Sequence, residues 1–111
     1  MYDALVVGGG PIGGYTACQL ADQGFGVGLF EEHDEVGKDV ICTGVIGIEA
    51  FKRFNLPRTS IIREIKSIIF FSPSFLTFDY TRSDAFAYVV DRHIFDSKIL
   101  EWAREKGVEV H

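Results

Sequence analysis

Four apolar residues, Ala4-Leu5-Val6-Val7, stop abruptly at a glycine, and this short continuous run predicts a strand buried on both faces. Pro11 stands where a helix can begin, because its fixed φ and missing N–H are harmless at the first helical position. Gly13, Ala17 and Ala21 then form a stripe of small residues at helical spacing that lets the helix lie close to a sheet, and Gly24 ends it. Val27-Gly28-Leu29-Phe30 reads as a second buried strand, closed by Glu31-Glu32. Strand, helix and strand within about thirty residues predict a βαβ unit with parallel strands.

Further on, His33 to Thr43 reads as loop and Val45 to Phe54 as a short helix ended by Asn55 and Pro57. Alternating β-branched and aromatic residues over Arg63–Phe71 and Phe75–Thr81, parted by Ser72-Pro73-Ser74, predict an antiparallel hairpin; Ala87–Val90 adds a strand. Asp91 is a good N-cap for a helix to Lys106, with Phe95, Ile99 and Trp102 on its buried face and Gly107 as its stop. Val108-Glu109-Val110 opens another parallel strand, whose unpaired edge is a candidate for self-association.

Composition narrows the function classes. At 111 residues, 47% apolar and 24% charged, the chain is one domain at most and can hold a core. Its net charge of −5 and the absence of any basic run longer than Lys52-Arg53 argue against nucleic-acid binding. Ala4 to Ala21 is an uncharged run of 18 residues, but five glycines, Pro11, Thr16 and Gln19 within it argue against a membrane span. There is no basic segment ahead of it for a signal peptide, and two cysteines give no disulfide framework, so a cytoplasmic location is expected. His33, His93 and His111 are scattered without metal-ligand spacing, Asp3, Asp39, Asp79 and Asp84 form no acid–base pair, and no catalytic residue can be named.

Gly8-x-Gly10-x-x-Gly13 between strand and helix is the dinucleotide-binding fingerprint. The first glycine permits the tight turn, the second lets a pyrophosphate approach the backbone, and the third lets helix and strand pack closely. Backbone N–H groups and the helix dipole then face the phosphates. Glu31, 18 residues after Gly13 at the end of the second strand, is placed to meet the adenosine ribose hydroxyls. A 2′-phosphate against Glu31 and Glu32 would be repelled, which disfavours NADP; FAD and NAD both offer a free ribose diol. The expected fold is α/β: a Rossmann-like βαβ unit with parallel strands, occupying 1–111 as a partial FAD/NAD(P)-binding domain. A small antiparallel hairpin or meander, about residues 61–90, is inserted before the last helix.

The string from Tyr2 to Glu31, the Cys42-Thr43-Gly44 stretch, and Val90-Asp91-Arg92-His93-Ile94-Phe95-Asp96 together resemble the N-terminal part of the geranylgeranyl reductase family. These are FAD-dependent oxidoreductases of the p-hydroxybenzoate hydroxylase type and include archaeal lipid, chlorophyll-type and FixC-like members. The resemblance implies FAD as cofactor, with Gly8, Gly10, Ile12 and Gly13 around the pyrophosphate and Glu31 on the ribose. It places Cys42, Thr43 and Val45 on the cofactor side of their loop and has Arg92 reach the cofactor from its helix. It implies reduction of carbon–carbon double bonds in an isoprenoid or lipid-like substrate and leaves peripheral membrane contact by the parent enzyme open.

Two of these positions have a plainer reading. Arg92 sits in a first helical turn, where a cation opposes the dipole, and Asp96 or Asp91 would offset that as well as a phosphate would. Cys42 between Ile41 and Thr43 reads either as a small buried hydrophobe or as a neighbour of the flavin; Cys18 reads as core. Family members run to several hundred residues, so a truncated FAD-binding module is expected, too short by itself for turnover. The alternatives are a non-catalytic binder of FAD, NAD or ADP, and a self-associating fragment.

Overall fold

The computed structural model describes all residues, Met1–His111. In chain order the elements are β1 (Ala4–Val7), α1 (Pro11–Asp22), β2 (Val27–Phe30), β3 (Val45–Gly47), α2 (Ile48–Phe54), a 3₁₀ turn (Arg58–Ser60), β4 (Ile61–Ile65), β5 (Ser67–Phe71), β6 (Thr77–Thr81), β7 (Ala87–Val90), α3 (Arg92–Glu105) and β8 (Glu109–Val110). They form two compact units, Met1–Cys42 with Arg92–His111, and Thr43–Asp91. The segment 61–90 falls inside the second unit.

The first unit is the α/β part. Its strands run parallel in the order β1-β2-β8, with Ala4 opposite Val27 and Leu29 opposite Val110. Helices α1 and α3 pack on one another, and Ala17, Cys18, Leu100 and Ala103 join Val27, Leu29, Val36 and Val108 in the core. Small residues make this contact possible: a Cβ on Gly14 would stand 3.0 Å from Ile99 Cγ2. Pro11 opens α1 and Gly24, at φ +90°, follows its end.

Contrary to the expectation from its apolar run, β1 is not buried on both faces. Leu5 and Val7 are exposed while Val6 packs against the core. With only three strands and both helices anchored to the Val27–Leu29 side, alternate β1 side chains have nothing over them in this unit. Strand β8 is at the sheet edge, and α3 ends at Glu105, one residue before the expected Lys106.

The second unit is antiparallel. Strand β7 is central, pairing with β3 on one side and β4 on the other, while β5 and β6 form a separate hairpin. Two expectations change. Val45–Gly47, read as the start of a helix, is strand β3 hydrogen-bonded to Ala87–Val89, and the helix begins only at Ile48. The long strand expected over Arg63–Phe71 is split at Lys66, because Ile65 pairs with Ala87 whereas Ser67 pairs with Thr81. Phe75, at φ +60°, belongs to the hairpin turn, where its N–H donates to the Ser72 carbonyl at 2.9 Å. Asn55 ends α2 in the left-handed conformation, as expected of an asparagine at that place.

Candidate functional site

The end of β1, the start of α1 and the end of β2 converge on one turn. The Gly8 N–H donates to the Phe30 carbonyl at 2.7 Å, so the chain leaves β1 still tied to β2, and Gly8 adopts φ +100°. A Cβ on Gly13 would stand 1.9 Å from the Gly8 carbonyl oxygen, which fixes a glycine there. Gly8 and Gly10, by contrast, face open space where a side chain would project. Ile12 is exposed on the same first turn of α1. The α1 N-cap, Gly10, makes no side-chain capping bond, so the N–H groups at this helix start are uncapped by side chains.

Glu31 closes the turn from the other side. Its Oε2 accepts from the Gly9 N–H at 2.5 Å, and its Oε1 accepts from the His33 N–H at 2.9 Å and lies 2.7 Å from His33 Nδ1. Its side chain is 12% exposed. These donors, the Gly9 amide foremost, hold the carboxyl below its ordinary range despite the opposing effect of burial. Gly9 is tied to this arrangement in a second way, since a Cβ there would stand 3.1 Å from Glu31 Oε2. Glu32 is exposed beside it.

A pocket of about 330 Å³ opens beside Glu31, bounded by His33, Val36, Leu100, Arg104 and His111 among others. The His93 ring bonds the Val36 carbonyl at 2.8 Å.

Arg92 takes the plainer of its two readings as far as its bonds go. Its Nε and Nη2 donate to the two oxygens of Asp96 at 2.8 and 2.9 Å, and the Asp96 side chain is only 2% exposed. This two-point bond is the chief reason the guanidinium is held even more firmly protonated than usual. The Cys42 thiol, exposed, is a further neighbour of Arg92, whereas Cys18 is buried with its Sγ 3.8 Å from the Ile99 carbonyl. Burial pushes the Cys18 thiol up.

Thr43 and Val45 belong to the second unit. Both are exposed; Val45 pairs with Val89, and Gly44 between them, at φ +70°, has its carbonyl bonded by the Val90 N–H at 2.9 Å. The fingerprint pointed to Gly8, Gly10, Gly13 and Glu31 but passed over Gly9, Gly14 and His33. The unbroken triplet Gly8-Gly9-Gly10 was the available signal for Gly9; nothing in the spacing distinguished His33.

A glycine turn on a parallel βαβ unit, closed by a carboxylate at the end of the second strand, defines a dinucleotide-binding segment of the Rossmann-like class. The NAD(P)-binding Rossmann-like domain family matches residues 6–49. Digeranylgeranylglycerophospholipid reductase 1 of Methanococcoides burtonii is 33% identical over 98% of this chain and 28% of its own length. Geranylgeranyl diphosphate reductase of Rhodobacter capsulatus is 34% identical over 96% of this chain and 25% of its own. Among solved structures, a geranylgeranyl bacteriochlorophyll reductase-like protein from Thermoplasma acidophilum superposes with a TM-score of 0.86 at 28% identity, over 98% of this chain and 29% of that one. A myxobacterial FAD-dependent halogenase shares the fold, with a TM-score of 0.73 at 23% identity. Along nearly its whole length, then, the chain is homologous to a segment of the geranylgeranyl reductase-family oxidoreductases, and it spans about a quarter of the length of the curated relatives it matches. No helix is long and apolar enough to cross a membrane.

Proposed function

We propose that this chain is the FAD-binding segment of a flavin-dependent oxidoreductase of geranylgeranyl reductase type, whose parent activity is reduction of isoprenoid carbon–carbon double bonds in a lipid-like substrate. The single observation that carries the cofactor reading is the paired geometry at the turn: Gly13 locked against the Gly8 carbonyl, Gly8 and Gly10 open, and Glu31 aligned by the Gly9 amide. A side-chain-free approach to an uncapped helix start suits an anionic pyrophosphate, and an ionised carboxylate beside it suits a ribose diol. In this reading Gly8, Gly10, Ile12 and Gly13 seat the pyrophosphate and Glu31 orients the adenosine half. Glu32 adds negative charge that disfavours a 2′-phosphate.

Likeness to the family, rather than geometry, assigns Cys42, Thr43, Val45 and Arg92 to the cofactor side. Arg92 is the least free of these to act, because Asp96 engages two of its nitrogens. When bound, FAD would supply the electrons for alkene reduction; the residues here bind and orient it. NAD offers the same ribose diol and is the second reading, favoured by the description of the matched domain family.

The experiment is an absorbance spectrum of the purified protein before and after adding FAD, followed by desalting. Retention of a flavin band by the protein is expected. A colourless protein that takes up no FAD would overturn the reading for this chain.

A further inference from the structure

Both oxygens of the Glu31 carboxylate are engaged by the chain itself, but unequally. Oε2 accepts one bond, from the Gly9 N–H, while Oε1 meets both the backbone N–H and the ring Nδ1 of His33. A carboxylate oxygen has about two acceptor positions, so Oε2 keeps one for an incoming hydroxyl and Oε1 is full. A diol that grips the carboxylate at both oxygens must displace one of the His33 donors. The backbone donor is fixed by the turn. The ring is the one that can leave, since the His33 side chain is 64% exposed.

We propose that His33 sets the affinity of the ribose site: its imidazole competes with the ribose diol for Glu31 Oε1 and swings out when the dinucleotide binds. This rests on reading Glu31 as the ribose carboxylate. The competition is strongest when the imidazole is charged, because an imidazolium donates a charge-assisted bond to an ionised carboxylate. His33 is held above its ordinary value chiefly by that bond, helped by Glu32 and Asp39, and Glu31 stays ionised because its own value is lowered. Affinity for the dinucleotide therefore falls as pH drops through the titration of His33.

Asp34 and Glu35 line the space beside the His33 ring, with Lys38 paired to Glu35 at 2.5 Å, and Arg104, His93 and His111 stand across the pocket of about 330 Å³. The ring of His93 bonds the Val36 carbonyl and that of His111 the Tyr2 hydroxyl, so neither of those bonds involves Glu31.

The test is calorimetric titration of the full chain with ADP-ribose from about pH 6 to about pH 8.5, wild type against His33→Ala. A pair whose histidine is solvent-exposed predicts a gain of about two- to fivefold in wild-type affinity over that range. His33→Ala, which keeps the backbone donor, binds more tightly than wild type at the acid end by the same factor and with a flat profile. A variant that keeps the wild-type profile would assign the effect to His93 or His111 and overturn the proposal, as would a flat wild-type profile or a variant that binds more weakly at every pH. If ADP-ribose binds neither protein at any pH, the dinucleotide reading itself fails and this inference falls with it.

Discussion

A Cβ on Gly13 would lie 1.9 Å from the Gly8 carbonyl oxygen, so the first turn of α1 rests directly on the backbone that leaves β1. Gly10, three residues earlier, meets nothing within 4 Å. The two glycines therefore separate stability from binding. Gly13→Ala is expected to cost about 1–3 kcal/mol of stability, the range for forced overpacking, because the obstacle is backbone. Gly10→Ala should leave the urea midpoint nearly unchanged while sharply weakening FAD binding, since its new methyl projects where the phosphates approach. Paired unfolding curves and FAD titrations on the two variants check this.

Glu31→Gln tests the ribose assignment without deleting the acceptor that holds Gly9. Loss of a hydrogen bond to a charged group is expected to cost about 1.5–3 kcal/mol of ADP-ribose affinity, roughly 10- to 150-fold. Calorimetry reads the value, and an unchanged affinity would remove Glu31 from the site.

The Arg92–Asp96 pair predicts an asymmetry. Asp96 is 2% exposed and Arg92 20%, so Arg92→Ala strands the more deeply buried charge. Arg92→Ala is expected to cost about 3–5 kcal/mol. Asp96→Ala leaves a cation that can turn toward water and is expected to cost about 1–3 kcal/mol. Urea unfolding of both variants and the double mutant measures the difference, and the double mutant should cost less than the sum.

Acid should loosen the turn through Glu31. Its value is lowered in the folded state, so its contribution to stability is fully present above the ordinary carboxylate value of 4.5 and is lost as pH falls through the lowered one. His33 is raised, so its contribution is present below its ordinary 6.5 and is lost as pH rises through the raised value. The bond between them is thus complete only in the interval between the two titrations. Stability measured from about pH 3 to about pH 6 should fall more steeply toward acid for wild type than for Glu31→Gln, whose side chain does not titrate.

The βαβ unit was legible because its signals are local: an apolar run, a glycine turn, Pro11, and an acidic residue at the next strand end. The α3 face was legible for the same reason, as was the i,i+4 spacing of Arg92 and Asp96. Strand β3 was not, because Val45-Ile46-Gly47 runs without a break into the helix at Ile48 and becomes a strand only by pairing with β7, some forty residues later. The break at Lys66 is likewise a change of partner, from Ala87 opposite Ile65 to Thr81 opposite Ser67, that no local pattern marks. The exposure of Leu5 and Val7 reflects which face the helices cover. The double role of His33 depends on the turn that aims both its N–H and its ring at one oxygen of Glu31, a geometry that residue types alone do not encode.

Recognition of the adenosine-diphosphate half of a flavin dinucleotide underlies the proposed function. The most direct measurement is calorimetric titration of the full chain with FAD and, separately, with FMN, which carries the same flavin ring but no adenosine. FAD is expected to bind, ADP to compete with it, and FMN to give no comparable heat. Binding of FMN as tight as that of FAD, or no binding of FAD, would contradict this recognition.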